Sequence, residues 1–134
     1  MSAITDEQWQ QLSEAARAAS AHAYCRYSAF RVGAAVLTVD GMLAHGCNVE
    51  NASFGLTSCA ERNAIFRAIG DGATRLVALA VYTPTKAPVS PCGACRQVIA
   101  EFGDDALQVR CFCDGPDVAA FTLAALLPHR FALD

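Results

Sequence analysis

The chain has 134 residues, a formal net charge of −3 and a pI of about 5.5, and 54% of its residues are hydrophobic. That length suits one domain, residues 1–134, with a real core. No run of Lys or Arg occurs, so the electrostatic footprint of a polynucleotide-binding protein is missing, and no apolar stretch is long enough to span a membrane. The acidic, polar opening MSAITDEQWQ lacks the basic and apolar regions of a signal peptide, which points to the cytoplasm. There the seven cysteines stay reduced, and a C-x-x-C pair reads as metal or redox chemistry rather than as a disulfide. The aliphatic and alanine surplus is large for so short a chain, and part of it suits a subunit interface.

In chain order, Trp9, Leu12, Ala15, Ala16 and Ala19 recur at helical spacing and predict a helix over 6–23. An irregular polar and aromatic link follows over 24–30. Residues 31–38 (RVGAAVLT) read as a strand, Asp40-Gly41 as a hairpin turn, and 42–50 as the returning strand. The small and polar residues 51–57 form a loop. Residues 59–69 read as a buried helix ended by Gly70-Asp71-Gly72. The nearly unbroken apolar run 76–83 (LVALAVYT) is typical of a strand covered on both faces. After a loop, Pro91 fits the first position of a helix running to Phe102 and stopped by Gly103. Residues 107–113 predict another strand, and Thr122 caps a short helix reaching Leu127 before Pro128. Helix, hairpin, then helix–strand–helix–strand implies an α/β fold, a mixed sheet with helices on its faces.

Two short motifs carry the chemistry. Cys59-Ala60-Glu61 opens one predicted helix, and Pro91-Cys92-Gly93-Ala94-Cys95 opens another. A helix start exposes unpaired N–H groups and the positive end of the dipole, which favours thiolate over thiol. Cys92 and Cys95 are three apart and share one helical face. One thiolate from the first motif and two from the second make a three-ligand zinc site. A closed structural site takes four protein ligands, whereas a catalytic site leaves a position for water. Glu61 can approach that position without being a ligand and exchange protons with acidified water.

Other readings of these residues exist. A lone C-x-x-C also occurs in redox pairs and zinc ribbons, but a ribbon needs a second close pair of ligands. Cys111 and Cys113 lie on one face of a predicted strand and read as core, as do Cys25 and Cys47. His22, His45 and His129 are isolated. Ser58-x-x-Glu61 satisfies the capping-box pattern, in which Glu61 would only cap its helix. Beside three well-spaced cysteines the catalytic reading is the stronger. Cys-x-Glu followed by Pro-Cys-x-x-Cys is the signature of zinc base deaminases.

Beyond that signature, the sequence resembles the small homotetrameric zinc-dependent cytidine deaminases from about Tyr24 to Phe131. The match is carried by YSAFRVGAA (27–35), GCNVENASFGL (46–56), CAERNAIFRA (59–68), SPCGACRQV (90–98) and LLPHRF (126–131). The resemblance implies a three-layer α/β/α fold around a central mixed five-stranded sheet. It implies hydrolytic deamination of free cytidine or deoxycytidine, with zinc-bound hydroxide attacking C4 and Glu61 shuttling protons. Cys59, Cys92 and Cys95 would hold Zn2+, and Arg62 would offset the charge of the three thiolates. Asn48 and Glu50 would grip the ribose 3′-hydroxyl, and two-residue spacing on a strand would put both on one side. Phe30 would pack near sugar and base, and Ala60 and Ser90 would offer backbone groups to the pyrimidine. Phe131 would stack on the base from a neighbouring subunit of a homotetramer with shared active sites. Phe54 stands near the 5′ side of the sugar where many relatives have tyrosine, and Cys25-Arg26 replaces the usual small residue and proline. These departures leave open a modified cytidine or a blasticidin-type nucleoside as substrate. Two other readings, a polynucleotide-editing deaminase and a non-catalytic zinc-stabilised binding module, fit the composition and the ligand count less well.

Overall fold

The first helix begins where the sequence supplies a reciprocal cap. In the computed structural model, which describes residues 3–133, the Thr5 hydroxyl accepts from Gln8 N at 3.1 Å and the Gln8 side chain accepts from Thr5 N at 2.9 Å. Helix α1 (Asp6–Ser20) then buries Trp9, Leu12, Ala16 and Ala19. It ends three residues short of the expected position. Arg31 Nη1 donates to Ala21 O and Ala23 O, so a side chain rather than another helical turn satisfies these carbonyls.

Strands β1 (Gly33–Thr38) and β2 (Leu43–Cys47) form the expected hairpin, and Gly41 takes φ +89° in its turn. Strand β3 (Leu76–Tyr82) pairs antiparallel with β1, and β4 (Gln108–Phe112) pairs parallel with β3. A fifth strand, β5 (Ala119–Thr122), closes the order β2-β1-β3-β4-β5. The resemblance implied this strand, but no residue pattern marks it. Its four residues, AAFT, are too few to display an apolar alternation, and the first three are all apolar.

Each face of the sheet has its own apolar layer. Trp9, Leu12 and Ala16 of α1 pack on Ala35, Leu37, Ala78, Ala80 and Tyr82. On the other face lie α2 (Ala60–Gly70), α3 (Gly93–Phe102) and the short α4 (Leu123–Leu126). There Ala64, Ile65, Ile99 and Leu123 meet Val36, Leu79, Val81 and Val109. The three-layer α/β/α expectation therefore holds. Strand β1 is buried at every position because it is covered on both faces. Cys25, Cys111 and Cys113 are buried as expected, whereas Cys47 is only half-buried on the edge strand β2, which no further strand covers.

Gly33 marks the closest approach of α1 to the sheet. A Cβ there would stand 1.7 Å from Ala16 O, a backbone atom that cannot step aside without moving the helix. Gly33→Ala should therefore cost about 3 kcal/mol or more, at the upper end of overpacking effects. At Gly70 an added Cβ meets nothing within 4 Å. Gly70→Ala should stay within about 1 kcal/mol of the parent, and paired thermal unfolding curves check the contrast.

Candidate metal centre and active site

The starts of α2 and α3 converge at one end of the sheet. Cys59 and Cys92 occupy the N-cap positions, and Cys95 lies in the first turn of α3, fully buried. Pro91 precedes the N-cap and is not the first helical residue expected from the sequence. Cys92 itself has extended backbone (φ −67°, ψ 167°), so the helix cannot begin before Gly93. The Sγ atoms of Cys59, Cys92 and Cys95 all lie within 4.8 Å of one another, with Cys59 and Cys92 4.0 Å apart, and no disulfide joins them. Sulfurs around a tetrahedral zinc ion with bonds of about 2.3 Å would be about 3.8 Å apart, so the trio fits that ion. No histidine joins the trio, which is the one such group among the described residues.

The electrostatics of the trio lead to the same conclusion. The Cys59 thiol is lowered to about 5, chiefly by a hydrogen bond from the Cys95 thiol and further by Arg62, against a burial effect that raises it. The Cys95 thiol is pushed up, first by that same bond to Cys59 and then by burial. Without a cation, one sulfur ionises only while its neighbour keeps its proton. A divalent ion lets all three ionise together. Arg62 Nη2 donates to Cys59 Sγ at 3.2 Å, so the guanidinium lies against the thiol trio.

Glu61 sits in the first turn of α2 and is 5% exposed. Burial raises its carboxyl above the usual range, and the adjacent Cys59 charge raises it further. The capping-box alternative fails. The N-cap is Cys59, and Ser58 Oγ bonds Asn63 Oδ1 at 2.8 Å instead of closing the helix start.

Glu61, Cys59 and Cys92 open into a cleft of about 270 Å³ whose wall also includes Phe30, Asn48, Glu50, Ala60 and Ser90. Asn48 and Glu50 reach it by a different route from the alternation expected of a strand, because β2 stops at Cys47. Val49 instead bridges to Tyr24 and Ser58, which keeps the backbone extended and its two neighbours on the cleft side. Asn48 is buried, accepting from Val32 N at 2.9 Å and donating to Phe30 O at 2.8 Å. Glu50 accepts from the amides of Tyr27 and Ser28 and from the Ser28 hydroxyl. The hydroxyl bond, followed by those amides, holds its carboxyl below the usual range, although burial opposes them. Phe30 is 38% exposed and is a wall of the cleft rather than core. It follows Ala29, whose φ of +58° turns the chain at this point.

Two expected residues lie elsewhere within this chain. Phe54, 78% exposed in a 3-10 turn (Phe54–Leu56), meets Tyr27 edge-on at 6.3 Å and lines an adjoining depression. Phe131 is 70% exposed and off the cleft, its carbonyl held by Gln97 Nε2. Conversely, Ser28, Thr57 and Thr83 line the cleft and were not singled out from the sequence. Ser28 could have been found, since it stands in the Tyr-Ser-Ala-Phe segment already noted. Thr57 and Thr83 carry no local mark.

Comparison with known proteins agrees with this geometry. The family model described as the cytidine and deoxycytidylate deaminase zinc-binding region matches residues 6–111. The cytidine deaminase of Sporosarcina psychrophila is 47% identical over 92% of this chain and 90% of its own length. That of Mycobacterium tuberculosis is 44% identical over 98% of this chain and 95% of its own. The crystal structure of cytidine deaminase from Burkholderia pseudomallei superposes with a TM-score of 0.87 at 48% identity, covering 91% of this chain and 98% of that one. With three thiols, a buried glutamate and a shared fold in agreement, the chain belongs to the cytidine and deoxycytidylate deaminase zinc-binding family.

Proposed function

We propose that the protein hydrolyses the exocyclic amine of free cytidine and deoxycytidine, releasing ammonia and the uracil nucleoside. The observation that carries this reading is the placing of Glu61 beside three clustered thiols in the same cleft as Asn48 and Glu50. Cys59, Cys92 and Cys95 would hold zinc, which when bound supplies a Lewis acid that brings the pKa of water near neutrality. Glu61 takes a proton from the attacking water and delivers it to ring N3. It then protonates the departing amino group, acting as base and then as acid. Its buried position keeps bulk water from competing for that proton. Arg62 offsets the net negative charge that three thiolates leave on a divalent ion.

Asn48 and Glu50 bind the sugar hydroxyl. The internal bonds of Asn48 leave one amide N–H free to donate, and a carboxylate has about four acceptor sites, so Glu50 can hold Ser28 and a ligand together. Ala60 and Ser90 present backbone groups to the pyrimidine, and Phe30 packs on sugar and base. The assembly is a homotetramer in the cytoplasm, with Phe131 entering a neighbour's cleft. The exposure of Phe54, Leu56, Phe131 and Leu133 supports such association. Among the described residues no helix is long and apolar enough to cross a membrane.

Ultraviolet monitoring of cytidine, deoxycytidine and free cytosine, alongside zinc quantitation, tests the reading. Both nucleosides should react and cytosine should not. Equal turnover of cytosine would remove the sugar grip, and ammonia from no nucleoside would end the proposal. Blasticidin-type and N4-modified nucleosides belong in the panel, because Phe54 brings no hydroxyl to the depression beside Glu50.

A further inference from the structure

The segment joining β3 to α3, residues 83–92, has no regular structure, yet it carries both the cleft wall at Val89 and Ser90 and the metal-site residue Cys92. Its first half is tied to the end of β4. Thr83 N donates to Phe112 O, and Asp114 N donates to Thr85 O at 2.8 Å. Its second half has no such support. Among the described residues, no backbone group of 88–91 bonds to another backbone group, and Pro88 and Pro91 have no N–H to offer.

One side chain fills that gap. Arg96, half-buried on the first turns of α3, donates from Nε to Pro91 O at 2.8 Å, from Nη2 to Ser90 Oγ at 3.0 Å, and from Nη1 to Leu126 O at 2.9 Å. The last is a terminal carbonyl of α4 with no helical partner of its own. The planar fork of a guanidinium spreads its donors over three nitrogens and so reaches acceptors in separate segments, whereas the donors of an ammonium all sit on one nitrogen. Arg96 makes no ion pair among the described residues, so its charge is not held for a carboxylate.

We propose that Arg96 is a positioning residue for substrate binding: by bonding Ser90 and Pro91 it sets the cleft wall that faces the pyrimidine, and by bonding Leu126 it locks that wall to the C-terminal helix. This rests on the reading that the cleft takes a pyrimidine nucleoside. Arg96 acts before the chemical step and does not touch the reacting atoms. Its loss therefore shows in KM and in equilibrium binding, while the proton transfers by Glu61 continue.

The test uses the zinc-loaded protein and its Arg96→Gln, Arg96→Lys, Ser90→Ala and Arg96→Gln/Ser90→Ala forms. Steady-state kinetics with cytidine are combined with calorimetric titration of uridine, the product, as a non-reacting probe. Arg96→Gln should raise KM for cytidine and Kd for uridine by about tenfold, with kcat within about threefold and zinc stoichiometry unchanged. Arg96→Lys, with fewer acceptors in reach, should lie between the parent and Arg96→Gln. The double variant should bind little worse than Arg96→Gln alone, because both substitutions break the same bond. If Arg96→Gln yields no folded protein, Arg96→Lys and Ser90→Ala carry the same comparison. Unchanged KM and Kd with a lowered Tm would reduce Arg96 to a structural tie and overturn the proposal. So would a fall in kcat at constant KM, or full additivity in the double variant. Turnover of cytidine by the parent is measured first. Its absence would overturn the functional reading and this inference with it, whereas unchanged variants of an active parent overturn only the inference.

Discussion

Glu61→Gln should bind zinc in the parent stoichiometry and lose roughly 10³-fold or more of its turnover, the range expected when one group serves as both base and acid. The substitution keeps the volume of a side chain that is 5% exposed, so packing around the start of α2 is not the variable under test. It removes the ability to accept a proton. The amide cannot take the proton of the attacking water and has none to pass to N3 or to the leaving amine. Metal content is read by atomic absorption and turnover by the ultraviolet change of cytidine. A Glu61→Gln enzyme within tenfold of parent kcat would remove Glu61 from its assigned role, and a zinc-free one would mean that it holds the ion.

Cys95→Ala should lose most of its zinc and unfold at a markedly lower temperature. Cys95 is the fully buried member of the trio, and its thiol hydrogen bond is the largest influence on the ionisation of Cys59. Deleting it leaves two sulfurs on separate helix starts and removes the link between metal binding and folding. A ligand present at a thousandfold excess over its Kd contributes about 4 kcal/mol. For a chain of this length that corresponds to a fall of more than about 10 °C in Tm. Cys111→Ala is the discriminating control. That thiol is equally buried, in the core layer beneath α2 and α3, where burial pushes it up to about 12. It should destabilise by leaving a small cavity while keeping full zinc stoichiometry. Equal zinc loss in both variants would mean that the effect travels through the fold and not through ligation. Treating the parent with a strong chelator should reproduce the Cys95→Ala unfolding curve.

The local chemistry was legible because it depends on short spacings. Cys92 and Cys95 share a helical face by virtue of being three apart, and Glu61 follows Cys59 by two, whatever the rest of the chain does. The capping residues of α1, the Asp40-Gly41 turn and the apolar run of β3 are legible for the same reason. Each is stabilised mainly by its near neighbours. Misreadings cluster where a side chain takes a partner that the local pattern does not specify. Helix α1 stops at Ser20, and Arg31 takes the carbonyls of Ala21 and Ala23 just beyond it. Ser58 bonds Asn63 instead of capping α2.

The sequence by itself therefore marked the three spaced thiols, the glutamate beside the first of them and an α/β fold, since those follow from residue types at fixed separations. Only the tertiary structure decided that Cys59 meets Cys92 across 33 positions, with Cys95 beside them, that the Glu50 carboxylate clasps the turn at Tyr27 and Ser28, and that Arg96 bonds Pro91 and Ser90 in the cleft wall. These contacts arise from burying both faces of one sheet, which brings the starts of two helices to the same end. No local pattern encodes which faces will meet, because the driving force is non-directional and counts area rather than partners.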